Sequence, residues 1–67
     1  MLELNKMVNK KERFYKVYNN LPLNIREEVI IVIDNEPITW KIARLEIDGS
    51  TELSDVILEK LEALQII

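Results

Sequence analysis

Five consecutive β-branched residues, Val29-Ile30-Ile31-Val32-Ile33, interrupt a chain whose other apolar residues are spaced for helices. β-Branched side chains fit a pleated surface, so this run predicts a strand. Both of its faces are apolar, which predicts that both are covered. Before it, Leu4, Met7, Val8, Phe14, Tyr15, Tyr18 and Leu21 fall within one arc at about 100° per residue. That spacing predicts a helix from about Leu4 to Asn20, with Lys6, Lys10, Arg13 and Lys16 on the opposite arc. Lys11 lies inside the apolar arc, so either its stem snorkels or the helix begins after it. Asn19-Asn20 before Pro22 is a stop signal: Asn tolerates a left-handed cap, and Pro cannot continue the hydrogen-bond ladder. Leu21 to Glu28 then reads as a connector with room for one helical turn after Pro22.

After the strand, Asp34-Asn35 is a tight-turn pair, because both residues tolerate positive φ. Pro37 lacks an N–H and belongs at the start of an edge strand. Ile38, Trp40 and Ile42 alternate with Thr39 and Lys41, which predicts a second strand pairing back on the first. A bulge near Ala43-Arg44 would carry its apolar face on to Leu45 and Ile47. The rival is a helix from Thr39 to Ile47 capped by Thr39. Its apolar residues split into two opposed arcs, so the strand is the expectation. Asp48-Gly49 closes this element, and Ser50 or Thr51 caps a last helix running to about Gln65. Its apolar stripe is Leu53, Val56, Ile57, Leu61 and Leu64, with Glu52, Asp55, Glu59 and Glu62 opposite. The expected fold is therefore α+β in the order helix, β-hairpin, helix. Residues 1–67 form one domain, with both helices on one sheet face and a second subunit on the other.

Sixty-seven residues bury only about 60% of their unfolded surface, so the stability margin is thin. Cys and His are both absent, which removes disulfides, thiolate sites and the commonest metal ligand and general base. An apolar core and a partner subunit are the remaining means of stabilisation. Ten Ile, nine Leu and a single Gly suit the first, and the doubly apolar strand suits the second. High Ile, Glu and Lys is the trend of heat-adapted proteins, although AT-rich codon usage gives the same bias. No apolar run approaches the ~20 residues of a spanning helix and no signal segment is evident, so the expected location is cytoplasmic.

The charge is divided along the chain. Residues 1–26 carry a net of +4 and residues 27–67 a net of −7, within a total of −3. Such asymmetry is a statement about partners. Lys6, Lys10, Arg13 and Lys16 form a candidate basic face for phosphates. The neighbouring Phe14, Tyr15 and Tyr18 lie on the apolar arc rather than among the cations, so a solvated face above the core explains them as well. Glu52, Asp55, Glu59 and Glu62 form a candidate acidic face. Carboxylates in a row along one helix do not converge on a cation, so no metal is expected there. Charge matching with a basic subunit or partner suits them better. Ile30, Val32 and Trp40 are candidate dimer or core anchors. Ser50, Thr51 and Ser54 have no His to activate them, and Gly49 alone makes no phosphate loop. No catalytic activity and no cofactor are expected.

The segments Phe14–Leu23, Arg26–Val29, Glu36–Trp40, Thr51–Leu53 and Ile57–Leu61 together resemble short uncharacterised single-domain proteins of archaea. That resemblance implies a stand-alone domain without an assigned activity and carries over no site residue. Small size, divided charge and expected dimerisation are also similar in style to prokaryotic antitoxins. The usual antitoxin DNA-binding patterns, a ribbon-helix-helix strand or a helix-turn-helix, are not evident. The functional expectation is a homodimeric protein–protein interaction module. The alternatives are a nucleic-acid-binding accessory protein using the basic face, or an antitoxin-like binder of a basic protein.

Overall fold

The computed structural model describes the backbone of residues 2–67 and the side chains of residues 10–67. Helix α1 spans Leu2–Asn19 and is followed by a 3-10 turn, Leu23–Glu27. Strands β1 (Val29–Ile33) and β2 (Glu36–Thr39) form an antiparallel hairpin. Helices α2 (Trp40–Asp48) and α3 (Glu52–Ala63) complete the chain. The class is α+β, as expected, but among the described residues three α-helices accompany the hairpin rather than two. Leu4, Lys6, Met7 and Val8 lie outside the described side chains.

The stop after α1 is where the asparagines and Pro22 place it, by a different device. Neither asparagine has positive φ. Instead the Asn20 side-chain amide donates to the Lys16 carbonyl at 2.7 Å, satisfying one of the orphan acceptors of the last turn. Lys11 is inside the helix, and its stem snorkels: the Nζ reaches Ser50 Oγ at 3.1 Å.

Asp34 and Asn35 close the hairpin with φ of 51° and 67°, the pair of positive values that a type I′ turn requires. Ile33 pairs with Glu36, Val32 with Pro37, Ile31 with Ile38 and Val29 with Thr39. The register slips between Val29 and Ile31, so the bulge is at Ile30 and not near Ala43. This slip answers the doubly apolar run. It turns Ile30, Ile31 and Ile33 toward the core and leaves Val29 and Val32 on the outer face. Ile30 and Val32, two apart in sequence, therefore do not share a face, and Ile30 is a partly buried core neighbour.

The second strand ends at Thr39, and the expected strand over 38–47 is mostly helix. Thr39 Oγ1 accepts the Ile42 N–H at 3.1 Å, an N-cap that starts α2. Trp40, Ala43 and Ile47 enter the core from one side of this helix. The opposed arc of Ile42 and Leu45, which argued against a helix, remains outside. Trp40 is consequently a core residue at the first turn of α2 and not a hairpin side chain. Its backbone N–H donates to the Glu28 carbonyl at 3.3 Å, and its ring lies 5.9 Å from Phe14.

Thr51, rather than Ser50, caps α3 by accepting the Ser54 N–H at 3.2 Å. The helix ends at Ala63, short of Gln65. Its buried stripe is also rotated from the expected one: Ser54, Ile57, Leu58 and Leu61 are buried, whereas Val56 and Leu64 are exposed. Ser54 is tolerated inside because its hydroxyl donates to the Thr51 carbonyl at 2.6 Å. Around Phe14, which is fully buried, the core gathers Tyr18 of α1, Ile31 and Ile38 of the hairpin, and the inner residues of α2 and α3.

Candidate interaction surface

The charged faces of α1 and α3 meet within one molecule. Glu62 accepts Lys10 on one carboxylate oxygen and Arg13 on the other, each at 3.3 Å. Arg13 also donates to the Ile67 carbonyl at 2.7 Å. Burial pushes the Glu62 carboxyl up, but the two cations outweigh it and hold the group below its ordinary value. Half of the candidate basic face is thus occupied by a member of the candidate acidic face. Lys16 is exposed, and Lys6 lies outside the described side chains. Glu52, Asp55 and Glu59 are exposed and form no ion pair among the described residues. Lys10, Asp55, Leu58 and Glu59 line a shallow groove between the two helices. Among the described residues, no three metal-ligating side chains come together.

A second polar network, not foreseen from the sequence, joins α1 to α2. The Tyr15 hydroxyl donates to Asp48, whose other carboxylate oxygen forms an ion pair with Arg44 Nε at 3.4 Å. Burial first, and then the Asp48 carboxylate, push the Tyr15 phenol up to about 12. The Arg44 guanidinium lies 5.1 Å from the Tyr18 ring centre and that of Arg26 lies 4.4 Å from it. Arg26 also donates to the Tyr18 carbonyl at 3.1 Å, where a cation complements the end of α1. The only early trace of this network is tyrosine on the apolar arc, a residue that brings a hydroxyl needing a partner.

The surface with the least internal explanation is apolar. Val29 is 53% exposed, Val32 52% and Leu45 62%, and Ile42 and Pro37 are also exposed. The register makes these a continuous row. Val32 faces Pro37 and Val29 faces Thr39 on the outer side of the hairpin. Thr39 in turn caps the helix that carries Ile42 and, one turn on, Leu45. The polar residue of that row is Thr39, and the exposed pair Lys41–Glu27 flanks it in sequence on both elements. Of the three candidate anchors, Trp40 and Ile30 serve the core and Val32 alone is on this outer row.

The hairpin offers its face and not its edges. In a two-residue hairpin Ile33 and Glu36 exchange hydrogen bonds, so the next pair, Val32 and Pro37, directs its backbone groups outward. Pro37 has no N–H to present on the β2 edge, and the Ile30 bulge breaks the β1 edge. Among the described residues, no backbone hydrogen bond outside the hairpin ladder reaches Val29–Ile33. No described helix is long and apolar enough to cross a membrane. The chain matches no family model, no curated protein and no solved structure.

Proposed function

We propose that this chain is a small protein–protein interaction module that acts as a homodimer, associating through the outer face of its hairpin and the adjoining face of α2. The observation that carries this reading is the set of exposed apolar residues Val32, Pro37, Val29, Ile42 and Leu45, joined through Thr39. A two-stranded sheet is marginal alone, and a contiguous exposed apolar patch on a small domain marks a contact surface. Blunted strand edges favour face-on packing over strand addition. Nucleic acid has less support, because Glu62 engages Lys10 and Arg13. A basic protein partner is the second reading, favoured by the exposed Glu52, Asp55 and Glu59.

Sedimentation equilibrium of the full chain and of the double variant V29K/V32K tests the main reading. A dimer at micromolar concentration that becomes a folded monomer in the variant is the expected result. A wild-type chain that stays monomeric at millimolar concentration overturns it.

A further inference from the structure

The order of side chains across the exposed face of α2 specifies how a second copy would lie on it. Trp40, Ala43 and Ile47 commit one side of this helix to the core. The opposite side presents Ile42 and Leu45, three residues apart, with Lys41 immediately before and Glu46 immediately after. In heptad terms Lys41, Ile42, Leu45 and Glu46 occupy g, a, d and e, the four positions that make a two-stranded seam. Where helices pack in parallel, a β-branched residue at a with Leu at d favours two strands over three or four.

We infer that α2 packs on α2 of a second copy in parallel, about a two-fold axis running along the helices. Ile42 and Leu45 then lie against their own equivalents. Lys41 of each copy lies beside Glu46 of the partner subunit, so the charges are satisfied twice over. An antiparallel pair would instead set lysine beside lysine and glutamate beside glutamate, so the charge order selects the parallel arrangement. Self-complementary contact of this kind closes at two copies and leaves nothing to propagate. Both charged groups are available for it. The contact of Lys41 with Glu27 is long, at 3.8 Å, and both side chains are well exposed, so it competes weakly. Glu46 accepts the Thr51 hydroxyl on Oε1 at 2.6 Å, and its second oxygen has no bond among the described residues. Two helical turns are a small seam, and the hairpin residues Val29, Val32 and Pro37 extend the same apolar row beyond it. This arrangement rests on the homodimer reading and goes further, to its symmetry and its ion pairs.

Charge reversal separates the two claims. The full chain, K41E, E46K and an equal mixture of the two variants are compared by sedimentation equilibrium, with circular dichroism to establish that each is folded. Each reversal sets two like-charged contacts into its own dimer and is expected to weaken self-association about ten-fold. The mixture restores both attractions and is expected to give a heterodimer as tight as the wild-type dimer. A wild-type dimer that neither reversal weakens overturns the α2 seam while leaving homodimerisation intact. A monomeric wild-type chain overturns both. Because the chain has no Cys, Ile42→Cys supplies a second measurement. A parallel seam brings the two thiols within disulfide reach, and the oxidised chain runs as a covalent dimer. A wild-type dimer whose I42C variant stays uncross-linked excludes the parallel arrangement.

Discussion

Arg13 of the basic half reaches Glu62 of the acidic half at 3.3 Å, so part of the charge asymmetry of this chain is an internal tie. Lys10 shares the same carboxylate. Charge division along a sequence suggests an external partner when the sequence is all there is, because it does not say which halves fold against each other. The fold brings the last helix back across the first and leaves Glu52, Asp55 and Glu59 as the acidic side chains of that face still facing solvent.

Glu62 should make stability fall on acidification. Its carboxyl is held below its ordinary value, so its contribution is fully present above the unfolded carboxylate range. It is lost as pH falls through the lowered folded value, when Lys10 and Arg13 lose their acceptor. Urea midpoints measured from neutral pH down to about pH 3 should fall more steeply for the wild-type chain than for E62Q. Parallel curves would show that the tie adds nothing.

Tyr15 should give the opposite dependence at the alkaline end. Its phenol is raised to about 12 from an ordinary 10.0, first by burial and then by Asp48. The folded chain therefore holds the proton more tightly than the unfolded chain. That contribution is fully present below pH 10 and is lost as pH rises toward about 12. Tyr15→Phe removes the hydrogen bond, costs about 1 kcal/mol near neutrality and flattens the alkaline loss of stability. The difference between the ultraviolet titrations of wild type and Y15F should place one tyrosine near 12 and not near 10.

Thr39 decides between strand and helix for the residues that follow. Its Oγ1 holds the Ile42 N–H, and its backbone still pairs with Val29 in the hairpin. Thr39→Ala should keep the strand geometry and lose the cap, costing about 1 kcal/mol in thermal or urea unfolding. Thr39→Ser should restore most of that loss, because the cap needs only the hydroxyl. Equal stability of the two variants would mean that the cap does not hold α2.

How far the sequence could be read turns on this same junction. The β-branched run, the Asp34-Asn35 turn and the turn after Pro22 are local signals, and each was legible, whereas the α3 cap was narrowed to Ser50 or Thr51 and settled only by the Ser54 N–H on Thr51. The alternation of Ile38, Trp40 and Ile42 is compatible with both periods over so few residues. What resolves it is the Trp40 side chain finding Phe14, a contact twenty-six residues away in sequence. The Ile30 bulge was illegible for a related reason. In a run where every residue is apolar, pattern cannot say which side chain turns inward. The outer row was half legible: Val32 was expected on it, but Ile42 and Leu45 join it only once α2 is known to be a helix.

The single glycine is one position away from where the backbone would use it best. Helix α2 ends in a Schellman motif, with Ser50 N–H bonded to the Ile47 carbonyl at 3.1 Å and Thr51 N–H to the Glu46 carbonyl at 3.3 Å. The left-handed residue of that motif is Ser50, at φ of 51°, whereas Gly49 has φ of −84°. A Cβ on Gly49 would meet nothing closer than 3.5 Å, the Leu45 carbonyl and the Thr51 methyl, which is ordinary contact. Gly49→Ala should therefore stabilise the chain by about 0.4–1 kcal/mol, by narrowing the unfolded ensemble. Ser50→Gly should add a gain of about 0.5–1 kcal/mol by removing a strained side chain, less the exposed Lys11 contact to Ser50 Oγ. The two residues are neighbours, so the double variant G49A/S50G is the informative one. A melting temperature above that of either single variant is expected. A double variant less stable than the wild-type chain would mean that the turn between α2 and α3 depends on the serine side chain.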